Sequence, residues 1–205
     1  MRTMIAIPTI RDARPPIWQV VSYTGMERPA GTDFRISTAF EGIAENRNRL
    51  AEHALEQGYD RILFLDDDIQ FPVDGLTHML GWDYPAVAGL YFLRLGCLSV
   101  GNFTSGYGWV PLSWPVGDGA EYCTMAAGGC LLLDTRIFRR MAGPWWQFGG
   151  GYSEDVYFAK RLTRELGVSF LADLGVRCGH GTAMWLEPDG RATVKMDPRK
   201  VVGAA

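Results

Sequence analysis

The sequence predicts one α/β domain built around a mainly parallel, doubly wound sheet. Short apolar runs, of which Arg61–Leu65 and Ala86–Leu90 are the clearest, have the length and composition of strands buried on both faces. Amphipathic helical segments separate these runs, and strands that alternate with helices are typical of parallel sheets. A length of 205 residues, with 47% hydrophobic and 21% charged residues, fits one ordinary globular domain.

The chain opens with elements that place polar residues at a strand end. A buried strand is predicted over residues 3–9, a short helix after the prolines at 15–16, and a second strand over residues 33–38. Parallel sheets bind ligands at the carboxyl ends of their strands. Pro8 and Thr9 fall at such an end, so we expect them to border a binding site.

A long helix is predicted next, over residues 41–57, with Gly58 as its C-cap. Its apolar stripe includes Ile43 and Ala51, and Arg47 lies on the same stripe between them. An arginine at such a position either extends its charged end to solvent or reaches an acidic partner at the sheet edge.

The strand Arg61–Leu65 ends abruptly in three aspartates, Asp66, Asp67 and Asp68. Carboxylates this close repel one another unless a cation or a hydrogen-bond donor neutralises them. Because side chains alternate along extended chain, Asp66 and Asp68 are expected to point the same way. Two convergent oxygen ligands suit Mg²⁺ or Mn²⁺, which water and substrate phosphates then complete. A solvated acidic turn is the alternative, and the direct change from a buried strand to three acids favours the metal site.

The next elements continue the alternation and then interrupt it. Between residues 93 and 122 the pattern breaks into a glycine- and tryptophan-rich stretch, read as an irregular loop with a hairpin. The regular segments are a helix over 73–81, a strand over 86–91, a glycine-led strand over 126–133 and a helix over 135–141.

A second well-marked helix begins after the glycines at 149–151. Ser153 is a favourable N-cap and Gly167 ends the helix. Helical spacing places Asp155 on the face that packs on the fold and Glu154 on the face toward water. Short strands are then expected over 168–173 and 176–178, and a C-terminal hairpin around the turn at 187–190.

Composition and charge give no sign of a nucleic-acid-binding, membrane or secreted protein. A net charge of −3 gives no global basic field for nucleic acid or an anionic membrane. No apolar run reaches the length of a membrane span, and residues 1–10 lack the apolar core of a signal peptide. The four cysteines form no CxxC pair, as expected of reduced thiols. We therefore expect a cytoplasmic protein.

Taken together, the motifs resemble those of GT-A glycosyltransferases, specifically the small single-domain members related to family 2 that occur in bacteriophages and bacteria. A phage-encoded member would act in the host cytoplasm. The likeness runs over residues 3–182 and implies a nucleotide-sugar-binding half (1–92), an acceptor and catalytic half (93–182) and a C-terminal hairpin and tail (183–205). It rests on the order of Pro8-Thr9, Arg47-Asn48, the DxD-like Asp66-Asp67-Asp68, Gly128-Gly129, Glu154-Asp155 and Gly179-His180.

The resemblance also implies a role for each motif. A nucleotide-sugar, most readily a UDP-sugar, would be the donor, Mn²⁺ or Mg²⁺ the cofactor, and Asp155 of the Glu154-Asp155 pair the base of inverting members. The cation would be held by Asp68 and His180, with Asp66 reaching ribose or metal-bound water. The donor-binding residues would be Pro8, Thr9, Arg11, Arg47, Asn48, Asp66, Asp67, Gly128 and Gly129.

The acceptor side is expected in the aromatic part of the chain. Trp109 lies in the irregular stretch, and one of the adjacent pair Trp145 and Trp146 is expected to form the floor of an acceptor pocket. Aromatic faces stack equally well on sugars and on unstacked bases, so a glycan and a hydroxymethylated DNA base both remain open as acceptors.

Two other functions fit parts of the sequence. A sugar-nucleotide pyrophosphorylase would need a glycine-rich loop with a basic residue after the first strand, and Pro8-Thr9-Ile10-Arg11 matches it poorly. A non-catalytic nucleotide-sugar-binding protein would share the fold but lack a complete set of charged residues. Here each charged role has a candidate residue.

Overall fold

A seven-stranded mixed sheet forms the centre of the molecule. The structure is a computed structural model that describes residues 1–9, 17–37, 42–93, 96–105, 108–114, 116–181, 184–186 and 192–194. Its strands are β1 Thr3–Pro8, β2 Thr32–Ser37, β3 Arg61–Leu65, β4 Ile69–Gln70, β5 Ala86–Leu90, β6 Val100–Phe103, β7 Trp109–Pro111, β8 Ala120–Cys123, β9 Met125–Ala126, β10 Cys130–Asp134, β11 Phe170–Arg177, β12 Gly179–His180, β13 Met184–Leu186 and β14 Ala192–Val194. Its helices are α1 Ile17–Gly25, α2 Ile43–Glu56, α3 Gly75–Leu80, α4 Arg136–Arg140 and α5 Glu154–Leu166.

The order of the main sheet is β2-β1-β3-β10-β5-β11-β8. β1 runs parallel to β2 and β3, and β5 runs parallel to β11, so the mainly parallel α/β sheet predicted from the sequence is confirmed. One strand interrupts the parallel order: β10 lies between β3 and β5 and is antiparallel to both. β8 adds a second antiparallel strand at the edge beyond β11.

The direction of β10 matters for the site. An antiparallel strand starts at the edge of the sheet where its parallel neighbours end. The segment before β10 therefore lies beside the carboxyl end of β3, and the pairing of Cys130 with Leu65 fixes that register. For this reason Gly128 and Gly129 lie beside Asp66, the first of the three aspartates after β3, although they are more than sixty residues from it along the chain.

Apolar side chains cover both faces of the sheet. One face packs against α2, α4 and α5 through residues such as Leu50, Phe138 and Phe158. The other face packs against α3 and the end of α1 through Leu76 and Met26. Helices on both faces explain why the central strands are apolar at consecutive positions rather than at alternate ones.

The helix ends follow the local sequence signals. α5 begins after Ser153, whose hydroxyl accepts a hydrogen bond from the Val156 N–H, and ends at Gly167 with a left-handed φ of 66°. α2 ends at Glu56 with Gln57 as its C-cap, one residue before the predicted Gly58, which has a positive φ of 68°. Both helices are within two residues of their predicted bounds. Within the described residues, no helix combines the length and apolar character needed to span a membrane.

Three segments differ from expectation or go beyond it. The stretch read as an irregular loop contains the antiparallel pair β6–β7, which joins β9 in a small separate sheet, and it also supplies β8. The two strands expected over 168–178 are one strand, β11, with a register irregularity between Asp173 and Arg177. β13 and β14 pair antiparallel, and the turn predicted between them lies outside the described residues.

Candidate active site

The aspartate turn lies at the carboxyl end of β3 and is fixed by its backbone. The Asp66 N–H donates to the Gly129 carbonyl (3.0 Å), and the Asp66 carbonyl accepts from the Tyr23 hydroxyl (2.8 Å). The Asp68 carbonyl accepts from the Gly181 N–H (2.8 Å). Segments that are distant in sequence are thereby joined to one three-residue turn. Because residues 66–68 form a turn rather than extended chain, their three side chains have three different partners.

Asp68 faces His180, and both side chains are buried. The Asp68 Oδ1 and the His180 Nε2 are 3.3 Å apart. The other ring nitrogen, Nδ1, is 2.6 Å from the Phe92 carbonyl oxygen, which can only accept, so Nδ1 carries a proton and donates. Burial alone would lower the pKa of His180, but the hydrogen bond and charge of Asp68 raise it above its ordinary value. The imidazole thus has a fixed orientation, with Nε2 directed at a carboxylate.

The geometry of this pair suits a divalent cation as two of its ligands. Two adjacent ligands of an octahedral cation, each about 2.1 Å from it, lie roughly 3 Å apart, close to the separation of Asp68 Oδ1 and His180 Nε2. Across the described part of the chain, no three His, Cys, Asp or Glu side chains are grouped so as to hold a metal ion. Water and substrate oxygens could supply further ligands.

Arg47 is the centre of a second, larger cluster. The guanidinium is 1% exposed, and its Nη2 donates to Asp66 Oδ1 at 2.8 Å. Its Nη1 donates to Glu154 Oε1 at 2.7 Å and to Asp155 Oδ1 at 2.9 Å. Of the two outcomes that the sequence left open for this arginine, the structure shows the acidic partner at the sheet edge. The buried guanidinium of Arg47 therefore joins the aspartate turn to the first turn of α5.

Asp155 has an unusual environment. Burial raises its pKa, and the neighbouring charges of Glu154 and Asp66 raise it further, whereas the Arg47 guanidinium and a hydrogen bond from the Gly128 backbone lower it; the balance is a pKa of about 7. A carboxylate with a pKa near neutrality can take up and release a proton under ordinary conditions, which is the property required of a general base.

The expectation that Glu154 faces water is wrong. Glu154 is 8% exposed and is bound to the same nitrogen of Arg47 as Asp155. The helical spacing argument failed because Glu154 and Asp155 are the first two residues of α5. No preceding helical turn covers them, so neighbouring side chains can both turn toward the cation at the sheet edge.

Gly128 and Gly129 are needed because the charge cluster leaves no space for a side chain. A Cβ on Gly128 would lie 2.7 Å from both the Arg47 Cζ and the Asp155 Oδ1. A Cβ on Gly129 would lie 2.6 Å from the Tyr91 Oη and 3.1 Å from the Asp66 Oδ2. Contacts within the protein are therefore sufficient to explain why both positions are glycine. Contact between these glycines and a donor sugar stays a prediction.

The loop after β1 is tied to the aspartate turn by hydrogen bonds. The Thr9 hydroxyl donates to Asp67 Oδ2 (2.6 Å), and the Asn46 amide donates to the Thr9 carbonyl (3.1 Å). The Ser37 hydroxyl in turn donates to Asn46 Oδ1 (2.9 Å). Pro8 is the last residue of β1. Thr9 and Asp67 are therefore in contact, with Pro8 next to Thr9 along the chain, whereas Arg11 lies outside the described residues; their contact with a donor stays a prediction.

Asn48 contacts the protein backbone at every polar atom of its side chain. Its Nδ2 donates to the Trp146 carbonyl (2.8 Å), and its Oδ1 accepts from the N–H groups of Trp145 (2.9 Å) and Trp146 (3.0 Å). These hydrogen bonds use both acceptor positions of Oδ1 and one of the two N–H groups of Nδ2, so the side chain has little freedom to turn toward a donor, as the resemblance implied. Asn48 therefore anchors the segment before α5 to α2.

Asn48→Ala is expected to lower the free energy of unfolding by about 2 kcal/mol, because buried N–H and carbonyl groups lose their partners. Urea denaturation measures this loss. Asn102→Ala is the matched control, since Asn102 is exposed and its carbonyl oxygen accepts from one N–H, that of Thr124. A large change in nucleotide affinity without loss of stability would return Asn48 to the donor site.

The two tryptophans are in the hydrophobic core. Trp146 is stacked on Phe158 (ring centroids 4.5 Å apart), and Trp145 packs edge-on against Phe138 (5.0 Å). Their exposures are 6% for Trp145 and 1% for Trp146, so neither ring is available to an acceptor and the expected pocket floor is not present here. Trp109 is half-buried at the edge of the same core.

Tyr91 is a member of the site that the sequence reasoning missed. Its hydroxyl accepts from the Gly129 N–H (3.0 Å), and its ring packs edge-on against His180. Burial and the charges of Asp66 and Asp155 raise its pKa well above the ordinary value, so it remains a neutral phenol. The available signal was its position, directly after the buried strand β5.

Comparisons with known proteins support the fold. No protein-family model and no curated protein sequence matches the chain. Among solved structures, A197 from STIV superposes with a TM-score of 0.68 at 19% identity, covering 96% of this chain and 95% of that one. GalNAc-T7, crystallised with UDP, GalNAc and Mn²⁺, gives a TM-score of 0.54 at 12% identity over 91% of this chain and 44% of its own.

TarS residues 1–349 of S. aureus, in complex with UDP-GlcNAc, gives a TM-score of 0.53 at 12% identity over 84% of this chain and 56% of its own. This chain therefore spans about half the length of GalNAc-T7 and TarS. The likeness establishes the GT-A fold, which agrees with the fold that the motif order implied.

Proposed function

We propose that the chain is a metal-dependent glycosyltransferase that uses a nucleotide-sugar donor. One observation carries the proposal. At the carboxyl edge of a GT-A sheet, the pair Asp68–His180 and the carboxylate of Asp155 are both attached to one three-residue turn, Asp68 as its last member and Asp155 through Arg47 and Asp66. A cation-binding pair and a candidate base are the two parts that sugar transfer from a diphosphate requires.

Asp68 and His180 are the residues that would hold the cation. Their buried, oriented side chains present one oxygen and one nitrogen to the same point, and Mn²⁺ accepts both kinds of ligand. A bound Mn²⁺ or Mg²⁺ would neutralise negative charge on the donor diphosphate. The Asp66 Oδ1 is bound to Arg47, so we assign Asp66 the role of holding Arg47 in place. Its Oδ2 would then contact ribose or water.

Asp155 is the proposed base of an inverting transfer. Its carboxylate takes the proton of an acceptor hydroxyl while the acceptor oxygen bonds to the anomeric carbon of the donor sugar. The bond from that carbon to the diphosphate oxygen breaks, and the nucleoside diphosphate leaves. A UDP-sugar is the first donor to test, because the GalNAc-T7 and TarS structures contain UDP and UDP-GlcNAc respectively.

The net charge of the chain favours a neutral glycan over a nucleic acid as the acceptor. At a net charge of −3 the chain has no overall positive field to attract a polyanion such as DNA.

A donor screen tests the proposal. Thermal shift with UDP, GDP and their sugar conjugates is run with and without Mn²⁺, and stabilisation is expected for a nucleotide only when Mn²⁺ is present. Hydrolysis of the stabilising donor is then followed by release of nucleoside diphosphate. Formation of nucleoside triphosphate from the donor and pyrophosphate would instead indicate a pyrophosphorylase. Metal-dependent binding without turnover on glycan or hydroxymethylated DNA acceptors would indicate a non-catalytic binder.

A further inference from the structure

We propose that Arg47 is a positioning residue that fixes the base Asp155 against the aspartate turn, and that Glu154 is the second anchor on the same guanidinium nitrogen. The inference rests on the proposed function, because it assumes that Asp155 is the base. It replaces the donor-nucleotide contact that the motif resemblance implied for Arg47.

Arg47 is too deeply buried to contact a donor. Its Nη2 is used by Asp66 at 2.8 Å, and its Nη1 by Glu154 and Asp155 at 2.7 and 2.9 Å. Its Nε is buried and has no hydrogen-bond partner in the described part of the chain. The side chain as a whole is 1% exposed and lies beneath Gly128, where a single added carbon would touch it. A nucleotide could reach the guanidinium only if this cluster opened.

The planar shape of arginine is what makes one residue sufficient. Two of its nitrogens point to opposite sides of the cluster, so it binds Asp66 and the acid pair at once in a fixed geometry. A lysine ammonium is a single compact charge and cannot bridge both sides. The distance between the aspartate turn and the base is therefore set by the guanidinium.

Glu154 explains how an ion pair with arginine leaves Asp155 basic. Three carboxylates share one positive charge, so the cluster retains an excess of two negative charges when all three are ionised. Among the described residues, the groups that face Asp155 are Arg47 from α2, Glu154 from its own helix, Asp66 from the turn after β3, the Gly128 N–H before β10 and the neutral Tyr91 directly after β5. Without the Glu154 carboxylate, the positive charge of Arg47 interacts more strongly with Asp155 and one negative neighbour is lost. Both changes lower the pKa of Asp155 and make it a weaker base.

Arg47→Lys and Glu154→Gln are the test variants, with Arg49→Lys as the matched control, an exposed arginine on the same helix. The assay is hydrolysis of the donor found in the screen at saturating Mn²⁺, across pH, together with calorimetry of UDP and Mn²⁺ and thermal unfolding. For Arg47→Lys we expect kcat to fall about 100-fold, the scale of a displaced catalytic group, with little change in the Kd of UDP. For Glu154→Gln we expect activity to persist with the midpoint of the pH profile lowered by about one unit.

Several outcomes would overturn the inference. An Arg47→Lys variant with the wild-type kcat and pH midpoint would do so, and so would one whose kcat is kept while UDP affinity is lost, since that is the behaviour of a donor ligand. If Arg47→Lys does not fold, Glu154→Gln decides, and an unchanged midpoint there is contrary to the inference. Failure of the function itself is distinguishable, because wild-type protein would then neither bind UDP with Mn²⁺ nor hydrolyse any donor.

Discussion

Asp155→Asn is expected to reduce transfer by roughly a hundredfold or more, the scale for loss of a general base, while binding of UDP and Mn²⁺ is retained. Asparagine preserves the shape of the side chain and can still contact Arg47 weakly, but it cannot accept the acceptor proton. The cation pair Asp68–His180 makes no hydrogen bond to Asp155, so donor binding is not affected directly. Single-turnover transfer at saturating donor measures the loss.

The dependence on pH gives an independent check. Because the pKa of Asp155 is raised to about 7, the proton-accepting form appears only as the pH rises through that value, and transfer is expected to increase with pH and level off above it. A raised carboxyl pKa also means that the stability contributed by protonated Asp155 is complete below its ordinary pKa and is lost as the pH rises through about 7. Asp155→Asn should therefore abolish the dependence of transfer on this group and be no less stable than wild type at pH 8.

Glu165→Gln is the control for this variant. Glu165 lies on the same helix as Asp155, is more exposed than Asp155 and forms an ion pair with Arg161. The Glu165→Gln substitution should leave transfer unchanged. If Glu154→Gln is inactive and Asp155→Asn is active, the base is Glu154. If both remain active, the reaction is retaining or is not glycosyl transfer.

His180→Ala and Asp68→Ala are each expected to weaken Mn²⁺-dependent UDP binding by on the order of a hundredfold, since loss of even an outer partner of a metal ligand costs about 10–100-fold. A cation bound by both residues would have to displace the proton that a charged His180 directs at Asp68. The pKa of His180 is raised, chiefly by Asp68 against the lowering effect of burial, so Mn²⁺ affinity should rise with pH up to that raised pKa and be constant above it. Calorimetry at several pH values measures both effects.

His78→Ala is the matched control for this experiment. His78 also pairs with a buried carboxylate, that of Asp173 (2.6 Å), but it is half-exposed and belongs to α3 rather than to the aspartate turn. Its replacement should not change Mn²⁺-dependent binding. Unchanged metal-dependent affinity in His180→Ala would instead make His180 a packing residue, and the ion pair with Asp68 a structural one.

Much of the site could be predicted from the sequence because its parts lie at strand ends with clear local signals. The acids after β3, the glycines before β10 and the first turn of α5 each follow a break in an apolar pattern. Contacts between residues that are distant in sequence were harder to predict. Arg47 was correctly singled out on an apolar stripe, but its partners Glu154 and Asp155 are 107 and 108 residues away, and local spacing cannot indicate which of several acids it meets.

The errors have identifiable physical causes. Glu154 was placed by helical spacing, which loses its force in a first turn. Trp145 and Trp146 were assigned to different faces on the assumption of regular structure, but the segment before α5 is irregular and is anchored by Asn48, so both rings enter the core. The direction of β10 had no local signal at all, since a buried apolar strand reads alike in parallel and antiparallel pairing.

The antiparallel insertion of β10 also determines what part of the chain can exist alone. β3 and β5 are consecutive strands of the main sheet along the chain, yet they share no hydrogen bonds, and β10 pairs with both. A fragment that stops at residue 92 would lack both β10 and β11. It would present three open strand edges, one on β3 and two on β5, each a template for association with other chains. The predicted donor and acceptor halves are therefore not separate folding units, and we expect neither to be obtainable as a soluble folded fragment.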